Sequence, residues 1–351
     1  MGWLKKSIRN SKIEKILAAA DAYVQAKKFQ EAVVLLQSAN QELNSPEIEI
    51  LLVKLRHEAF FHSRFTSQLK EWPPVVSDLF VDTIGIPEID SMQMNSETLR
   101  AGVFNRGSII VRNLLNQKDV DLLCRGIEDT YKSCDLSLAG ASTDVTKPWY
   151  VPFQVPVRDA SQMLPREWYR DGGAQLAADS PRGLFNLIEC FEKNGIIEVV
   201  SDYLGERPAL SVRKTSLRRI PPDLNTENGW HQDGAFLGTG IRTMNLWIAL
   251  TDCGVDAPSM DMIPRRLTSI VPTGTEGAAF DWAVSGQLIN EVCGDTPFTH
   301  LHFKAGDAIV FDEMNLHRTS TLPTMTLPRY AVEAWFFAPS CYPLDQLPLI
   351  V

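Results

Sequence analysis

The second half of the chain, from about Pro208 on, consists of short apolar segments separated by turn residues. These segments are rich in β-branched and aromatic residues and run over 209–220, 243–251, 261–263, 298–303, 308–311 and 330–337. Short strands of this kind, with turn signals such as Gly306-Asp307 between them, are typical of antiparallel sandwiches and jelly rolls. The sequence therefore predicts a mainly β fold.

The rest of the chain predicts helices that flank this β region. We expect an N-terminal helical segment over residues 1–70 and a linker over 71–97, because Trp72-Pro73-Pro74 interrupts the helical pattern. Residues 98–351 form the main predicted domain. Before its strand-rich part, this domain is expected to contain a strand at 107–111, a helix at 118–131, an irregular stretch at 139–180 and a helix at 182–203.

The N-terminal segment predicts three helices. Ser11 followed by Glu14 is a capping box, which predicts that the first helix begins at Ser11. A second helix is expected at about 29–43, and Ser45-Pro46 suits the start of a third. His57 and His62, in that third helix, are expected at the surface.

A weak internal repeat also runs through this segment. Ser11, Ile16 and Leu17 recur 34 residues later as Ser45, Ile50 and Leu51. This spacing is the period of the tetratricopeptide repeat, which recruits protein partners, although only about one and a half units fit where roughly three are needed. The alternative is a helical hairpin plus a third helix that packs on the main domain.

Composition indicates a globular protein that does not bind nucleic acid. The 351 residues are 44% hydrophobic and 22% charged, so a sizeable core can be buried, and the formal net charge of -9 argues against a nucleic-acid surface. The six cysteines form no CxxC pair and are expected to be reduced thiols. No secretory signal or membrane span is recognisable, so we expect a cytoplasmic location.

One short motif points to a metal site. In Trp230-His231-Gln232-Asp233-Gly234, the histidine and the aspartate are two residues apart, so on an extended chain both would point to the same side. His317, one of only six histidines, follows a predicted strand and can supply a third ligand. Two histidines and one carboxylate on one face of an octahedral ion are diagnostic of non-haem Fe(II) oxygenases.

Such an iron centre needs a source of electrons to use O₂, and 2-oxoglutarate can provide them. The distal carboxylate of 2-oxoglutarate requires a cationic anchor. Arg329 lies twelve residues after His317, at the start of a predicted strand. Its guanidinium is a rigid fork for a carboxylate and is always charged, so we predict that Arg329 binds 2-oxoglutarate.

These residues belong to a stretch, from about 98 to 340, that resembles the phytanoyl-CoA dioxygenase family of Fe(II)/2-oxoglutarate oxygenases. The matching motifs are Trp230-His231-Gln232-Asp233-Gly234, Asn245-Leu246-Trp247-Ile248-Ala249-Leu250, Gly306-Asp307-Ala308-Ile309-Val310-Phe311, and His317-Arg318-Thr319 with Arg329. The resemblance implies a double-stranded β-helix core, of the jelly-roll or cupin-like kind. It also implies that Gln232, Trp247 and Thr319 line the 2-oxoglutarate pocket.

Substrate recognition is less readable. Where many family members carry Pro-Gly-Ser-His, this chain has Pro264-Arg265-Arg266-Leu267. Arg265 and Arg266 are therefore candidates for gripping a substrate carboxylate or phosphate, unless this is an ordinary basic turn. Of the cations before the motif (Arg213, Lys214, Arg218 and Arg219), alternate ones would point inward, and Lys214 is the candidate for the pocket. An acyl-CoA, an amino acid or a natural-product intermediate would each be a plausible substrate.

The reaction class follows from the ligands. In related halogenases a small residue stands at the carboxylate position, so Asp233 favours hydroxylation or a related oxidation with release of succinate and CO₂. The expected reactants are a small organic molecule and O₂. Two alternatives stay open: an inactive oxygenase-like scaffold that recruits a partner through its N-terminal helices, and a cupin-like structural metal site. His300 and His302 share a strand face and are expected to be ordinary strand residues.

Overall fold

Two β-sheets packed face to face organise the chain. The computed structural model describes residues 2–156, 164–224, 229–275, 277–294 and 296–351. Within these residues the strands are β1 (Glu88–Asp90), β2 (Ser108–Arg112), β3 (Ala174–Leu176), β4 (Ala209–Ser211), β5 (Ser216–Ile220), β6 (Thr243–Ala249), β7 (Ser259–Met262), β8 (Thr299–His300), β9 (Ala308–Phe311), β10 (His317–Ser320), β11 (Arg329–Phe337) and β12 (Pro348–Ile350). The α-helices are α1 (Gly2–Gln25), α2 (Phe29–Leu43), α3 (Pro46–Phe61), α4 (Ser96–Arg106), α5 (Gln117–Leu138), α6 (Thr143–Thr146), α7 (Arg166–Asp171), α8 (Pro181–Lys193), α9 (Ile196–Leu204), α10 (Gly234–Leu237) and α11 (Gly286–Cys293).

The larger sheet has the strand order β1-β2-β9-β6-β11-β4-β12, with β5 added beside β11 and β3 beside β5. The smaller sheet has the order β10-β7-β8. All pairs are antiparallel except β1 with β2. This is the jelly-roll arrangement with flanking helices that the sequence predicted.

Alternation along the central strands explains why both faces of the larger sheet are buried. On β6, Trp247 points into the space between the sheets, whereas Leu246 packs against the helices outside. On β11, Trp335 likewise points into the space between the sheets, and Phe336 packs against the helices outside. Strands with two buried faces read as continuous apolar runs, which is the pattern seen in the sequence.

The N-terminal helices pack on the main domain through α3. Arg56 donates to the carbonyl of Ile350 at 2.8 Å, and a ring nitrogen of His57 lies 2.8 Å from the carbonyl of Pro348. Glu49 of α3 pairs with Arg182 of α8 at 2.9 Å. The expectation that His57 lies at the surface is therefore wrong, because α3 covers the C-terminal strand. The proposed boundaries at 70 and 97, and the tetratricopeptide likeness, stay predictions.

Several predicted element boundaries differ from the structure. The first helix runs from Gly2 without a break, so Ser11 caps nothing. The predicted strand 209–220 is two strands, β4 and β5, which pair with different parts of β11. The predicted helix 182–203 breaks at Gly195, whose φ of +69° places it in the left-handed region that glycine adopts without cost. The start of the third helix after Ser45 is confirmed, with Pro46 in its first turn.

Some elements were not predicted. Strands β1, β3 and β12 have three residues each, too short for a periodic signal.

All six cysteines are free. No helix in the described part of the chain is both long and apolar enough to cross a membrane.

His300 forms a polar cluster on the smaller sheet, and no second metal group includes it among the described residues. Its Nδ1 lies 2.7 Å from Asp261 Oδ1 and its Nε2 lies 2.9 Å from the carbonyl of Gly254. Both nitrogens can donate only when the ring is protonated. The hydrogen bond to Asp261 is the main reason that the pKa of His300 is raised.

The raised pKa predicts a pH-dependent contribution to stability. The pKa of His300 is higher in the folded state than its value of about 6.5 in the unfolded chain. Its contribution to stability is therefore fully present below about pH 6.5, and it is lost as the pH rises through the folded-state pKa. We expect the free energy of unfolding of wild type to exceed that of His300→Gln most at about pH 5–6, and the difference to shrink towards about pH 9. Urea unfolding measures it, and a difference that does not change with pH would contradict the assignment.

Candidate functional site

The site is built on a direct backbone pairing between two histidines. His231 donates its amide to the carbonyl of His317 at 2.9 Å, and His317 donates back to His231 at 3.0 Å. This isolated antiparallel bridge extends the smaller sheet beyond β10. Residues that exchange both hydrogen bonds place their side chains on the same face. The two rings accordingly lie 4.5 Å apart between centroids.

Backbone carbonyls fix how each imidazole is presented. His231 Nδ1 lies 2.8 Å from the carbonyl of Gly229, and His317 Nδ1 lies 3.2 Å from the carbonyl of Asn315. A carbonyl can only accept, so each Nδ1 carries the proton in the neutral ring. Both Nε2 atoms therefore have a lone pair available for a metal ion.

Asp233 joins the histidines because the chain turns at this point. Its backbone is α-helical (φ -64°, ψ -26°) and it precedes the short helix α10, so the expected extended geometry at Asp233 is wrong. Gly234 follows, and a Cβ there would lie 2.9 Å from the carbonyl oxygen of Glu313. The glycine thus allows its amide to donate to that carbonyl at 2.9 Å, which holds the turn in place.

The three side chains form a group that suits a metal ion. One ligand atom from each of His231, Asp233 and His317 lies within 4.8 Å of the others. Asp233 Oδ1 accepts from Lys214 Nζ at 2.6 Å, while its Oδ2 is buried without a hydrogen-bond partner. A buried carboxylate oxygen without a partner is costly unless a cation binds it.

Electrostatics set the protonation states in this group. Burial, and then the charge of His231, lower the pKa of His317 to about 4, so its ring is neutral near pH 7. Burial alone would raise the pKa of Asp233, but Lys214 and the two histidines outweigh it and hold that pKa well below its usual range. Two imidazole nitrogens and one carboxylate are the donors that a non-haem Fe(II) site uses.

Comparison with known families agrees with this donor set. The family model for "Phytanoyl-CoA dioxygenase (PhyH)" matches residues 104–325, well over half of the chain. The chain belongs to the phytanoyl-CoA dioxygenase family. It is therefore a 2-oxoglutarate-dependent non-haem iron enzyme, as the resemblance implied, and its cofactors are Fe(II) and 2-oxoglutarate. The match ends before Arg329.

Solved structures similar to this chain include two that contain 2-oxoglutarate. EctD from S. alaskensis, with 2-oxoglutarate and 5-hydroxyectoine, is 15% identical, with 79% of this chain and 87% of that chain covered and a TM-score of 0.46. EvdO2 from Micromonospora carbonacea var. aurantiaca, complexed with 2-oxoglutarate, is 14% identical, with 74% and 92% covered and a TM-score of 0.43. Likeness at this level carries no conclusion about the present chain. No curated protein sequence matches it.

A cavity opens over the metal-ligand group of this family member. Its volume is about 570 Å³, within the usual range for small-molecule sites. Thr319, two residues after His317 on β10, lines it, as does Lys214 from the turn between β4 and β5. The full lining comprises Trp168, Tyr169, Asp171, Gly172, Ala174, Arg213, Lys214, Ser216, Arg218, Leu224, Gly229, His231, Asp233, Phe236, Phe280, Trp282, Thr319, Glu333, Asp345 and Gln346.

Arg329 lies deeper than this cavity and does not line it. Its guanidinium is buried over the ring of Trp247, 5.2 Å from the ring centroid, and one nitrogen donates to the carbonyl of Ser259 at 2.7 Å. Its Nε is buried without a partner. Burial, together with the nearby charge of Arg218, lowers the pKa of Arg329 to about 10. Trp247 also lies outside the cavity lining and serves as the platform beneath Arg329.

Gln232, expected in the 2-oxoglutarate pocket, has a different position. Its amide nitrogen donates to the carbonyls of Ser269 and Met314 at 3.2 and 2.8 Å, and its oxygen accepts from the amide of Val271 at 2.7 Å. Its neighbours His231 and Asp233 face the cavity, while Gln232 faces away from it. The side chain ties a loop to the metal-ligand segment through these three hydrogen bonds. A role for Gln232 in the 2-oxoglutarate pocket stays a prediction.

Arg265 and Arg266 are also placed away from the cavity. The backbone of Arg265 packs against Gly107, where a Cβ would lie 2.4 Å from it. The Arg265 side chain donates to the carbonyl of Val292. Arg266 pairs with buried Asp312 at 2.7 Å and lies over the ring of Phe104. Neither arginine lines the cavity, because their turn packs against other parts of the domain. That they grip the substrate stays a prediction.

Sequence reasoning missed most of the cavity wall. Arg218 was among the cations considered, and it lines the cavity because it alternates with Leu217 on β5. Glu333, its partner at 2.6 Å, comes from β11. The aromatic residues Phe280 and Trp282 come from a loop between β7 and α11 that has no periodic pattern. No local signal marks a loop residue as part of a distant cavity.

The role assigned to Gln232 predicts a stability defect. Gln232→Ala would leave two carbonyls and one amide without their partner in a buried region, so we expect the free energy of unfolding to fall by about 1–3 kcal/mol. Urea unfolding of the metal-free protein would measure this. Gln154→Ala, which removes an exposed glutamine, is the matched control and should stay within about 0.5 kcal/mol of wild type. Equal stability of Gln232→Ala and the control would refute the supporting role.

Proposed function

We propose that this enzyme hydroxylates a small organic substrate, or oxidises it in a related way, at Fe(II) held by His231, Asp233 and His317. The observation that carries this proposal is the convergence of three ligand atoms within 4.8 Å, each with a free lone pair, beside a cavity of about 570 Å³. When bound, Fe(II) and 2-oxoglutarate would supply O₂ activation, with release of succinate and CO₂.

The residues of the site have distinct tasks. The histidines present their Nε2 atoms because their Nδ1 atoms are bound to backbone carbonyls, and Asp233 supplies the negative charge. The carboxylate of Asp233 would be one of the metal ligands, which leaves no place for a halide there and favours hydroxylation over halogenation. The metal would lie at the floor of the cavity, so the substrate would be oxidised where the lining positions it.

Arg329 is our proposed anchor for the distal carboxylate of 2-oxoglutarate. Its only hydrogen-bond acceptor among the described residues is the carbonyl of Ser259, and its Nε has none. A buried cation without a carboxylate partner is destabilising unless an anion binds beside it. The nearby charge of Arg218 increases this demand for a negative ligand.

Lys214 is proposed to position Asp233. Its ammonium is 2.6 Å from Oδ1, so that oxygen is committed and Oδ2 is left for the metal. The phenyl ring of Phe236 lies 5.4 Å from the same ammonium and helps to hold it. Lys214 would thus contact the metal ligand and not 2-oxoglutarate itself.

Two further expectations remain proposals. The free cysteines suit a reducing compartment such as the cytoplasm. A protein partner could bind the outer face of the N-terminal helices, whose other side packs on the main domain.

Removal of a metal ligand tests the assignment. His231→Ala and Asp233→Ala should abolish both Fe(II) binding and succinate formation from 2-oxoglutarate, because each leaves only two of the three donors. Iron content after anaerobic loading and succinate release are the measurements. His62→Ala, an exposed histidine on the N-terminal helices, is the matched control and should behave as wild type. Wild-type protein that binds no Fe(II) would favour the inactive scaffold.

The same assay separates the anchor from the metal site. Arg329→Leu should still bind Fe(II), yet should need at least tenfold more 2-oxoglutarate, since about 1.4 kcal/mol corresponds to one factor of ten and a charged hydrogen bond is worth about 1.5–3 kcal/mol. An unchanged 2-oxoglutarate requirement would show that another cation anchors the cosubstrate.

Loss of the Lys214 contact should weaken metal binding without removing a ligand. We expect Lys214→Met to bind Fe(II) about 10–100-fold more weakly, the range found when groups that orient metal ligands are removed. Competition with a chelator under anaerobic conditions gives the affinity. Lys304→Met removes a lysine from an exposed ion pair with Asp252 and serves as control. Equal affinities of the two variants would rule out a positioning role.

A further inference from the structure

We propose that the substrate carries a flat aromatic or fused-ring portion that stacks on aromatic side chains of the cavity, and that it is not a coenzyme A thioester. This inference rests on the proposed function and concerns the same site. It comes from the cavity walls, from the way their charges are paired and from the size of the space.

Aromatic side chains stand unusually open at this cavity. Phe280 is 51% exposed, Trp168 is 59% exposed and Phe236 is 39% exposed. All three line the cavity, together with Tyr169 and Trp282. Exposed apolar surface gathered in one concave region marks a binding site, whereas single exposed apolar residues do not.

The rings are arranged along a path from the cavity wall to the metal ligands. Phe280 and Trp282 stack with centroids 5.1 Å apart and planes 6° from parallel. Trp282 in turn lies edge-on to His231, with centroids 5.7 Å apart. Phe236 lies 6.2 Å from the same imidazole. A planar ring that continues the stack would be carried close to the metal.

Two of the cationic side chains in the cavity wall form ion pairs with carboxylates of the same wall. Lys214 is bound to Asp233 at 2.6 Å, and Arg218 is bound to Glu333 at 2.6 Å. The lining as a whole has three cations, Arg213, Lys214 and Arg218, and four carboxylates, Asp171, Asp233, Glu333 and Asp345. A coenzyme A moiety carries several phosphate charges and would require an excess of cations. This lining, in a chain of net charge -9, does not provide one.

The volume also suits a compact ligand. A cavity of about 570 Å³ can enclose a fused-ring molecule of two to four rings together with the metal-bound cosubstrate. Aromatic pairs in offset or edge-on geometry gain about 0.5–1.5 kcal/mol beyond the burial of area. Stacking would therefore discriminate a flat ring from a saturated ring of the same carbon skeleton.

Paired probes test the inference on the full chain. Protein loaded anaerobically with Fe(II) and 2-oxoglutarate would be titrated by calorimetry with 2-naphthol, with decahydro-2-naphthol, and with coenzyme A. We expect 2-naphthol to bind about 2–10-fold more tightly than its saturated counterpart, and coenzyme A not to displace it. Equal binding of the two alcohols, or displacement by coenzyme A, would overturn the proposal.

A variant pair locates the binding. Phe280→Ala removes one exposed ring of the stack and should weaken 2-naphthol binding about 2–10-fold. Phe61→Ala removes a comparably exposed phenylalanine, 37% exposed, from the N-terminal helices and should have no effect. Wild-type affinity in Phe280→Ala would refute ring stacking at this wall.

A separate measurement distinguishes failure of the proposed oxygenase function from failure of the ring-stacking proposal. The visible charge-transfer absorption of 2-oxoglutarate chelated to Fe(II) is recorded before each titration. If wild type lacks it, the oxygenase assignment fails, and titration of the metal-free protein still tests ring binding. If wild type and Phe280→Ala both show it, any difference in 2-naphthol affinity reports on the aromatic wall alone.

Discussion

The site depends on the two hydrogen bonds that His231 and His317 exchange through their backbones. These residues lie far apart in sequence, yet the bridge makes them direct neighbours on the smaller sheet. Side-chain convergence then follows from strand geometry and needs no other constraint. The turn at Asp233, held by the amide of Gly234 on Glu313, brings the third donor to the same point. Gln232 and the loop that it ties support this segment from behind.

Charge placement inside the sandwich follows from burial. The carboxylates of Asp233 and Glu333 are buried near the candidate metal site, so each needs a partner, and Lys214 and Arg218 supply it. Two buried atoms of charged side chains in this region have no hydrogen-bond partner: Oδ2 of Asp233 and Nε of Arg329. A cation at the first and an anion at the second would complete the arrangement, which is why we propose these two positions for Fe(II) and for the distal carboxylate of 2-oxoglutarate.

The differences between sequence and structure have physical causes. The jelly roll was predictable because short apolar strands between turn residues have few other solutions, and the metal donors were predictable because His-x-Asp with a late histidine is a specific pattern. Strands β1, β3 and β12 were too short to leave a signal. Gln232, Arg265 and Arg266 lie away from the cavity because the direction of a side chain depends on which neighbours it packs against.

The sequence by itself determined the fold class, the three candidate metal donors and the family, because each rests on residue types at fixed spacing along one chain. Tertiary structure alone decided what surrounds the metal. The cavity wall combines two helices, four strands and several loops that are distant in sequence, and only folding brings Trp168, Phe236 and Trp282 to one space. It also decided that Asp233 reaches the histidines through a turn and not along a strand. The candidate metal donors can be recognised from residue spacing in the sequence, whereas the shape of the cavity depends on contacts between residues that are distant in sequence.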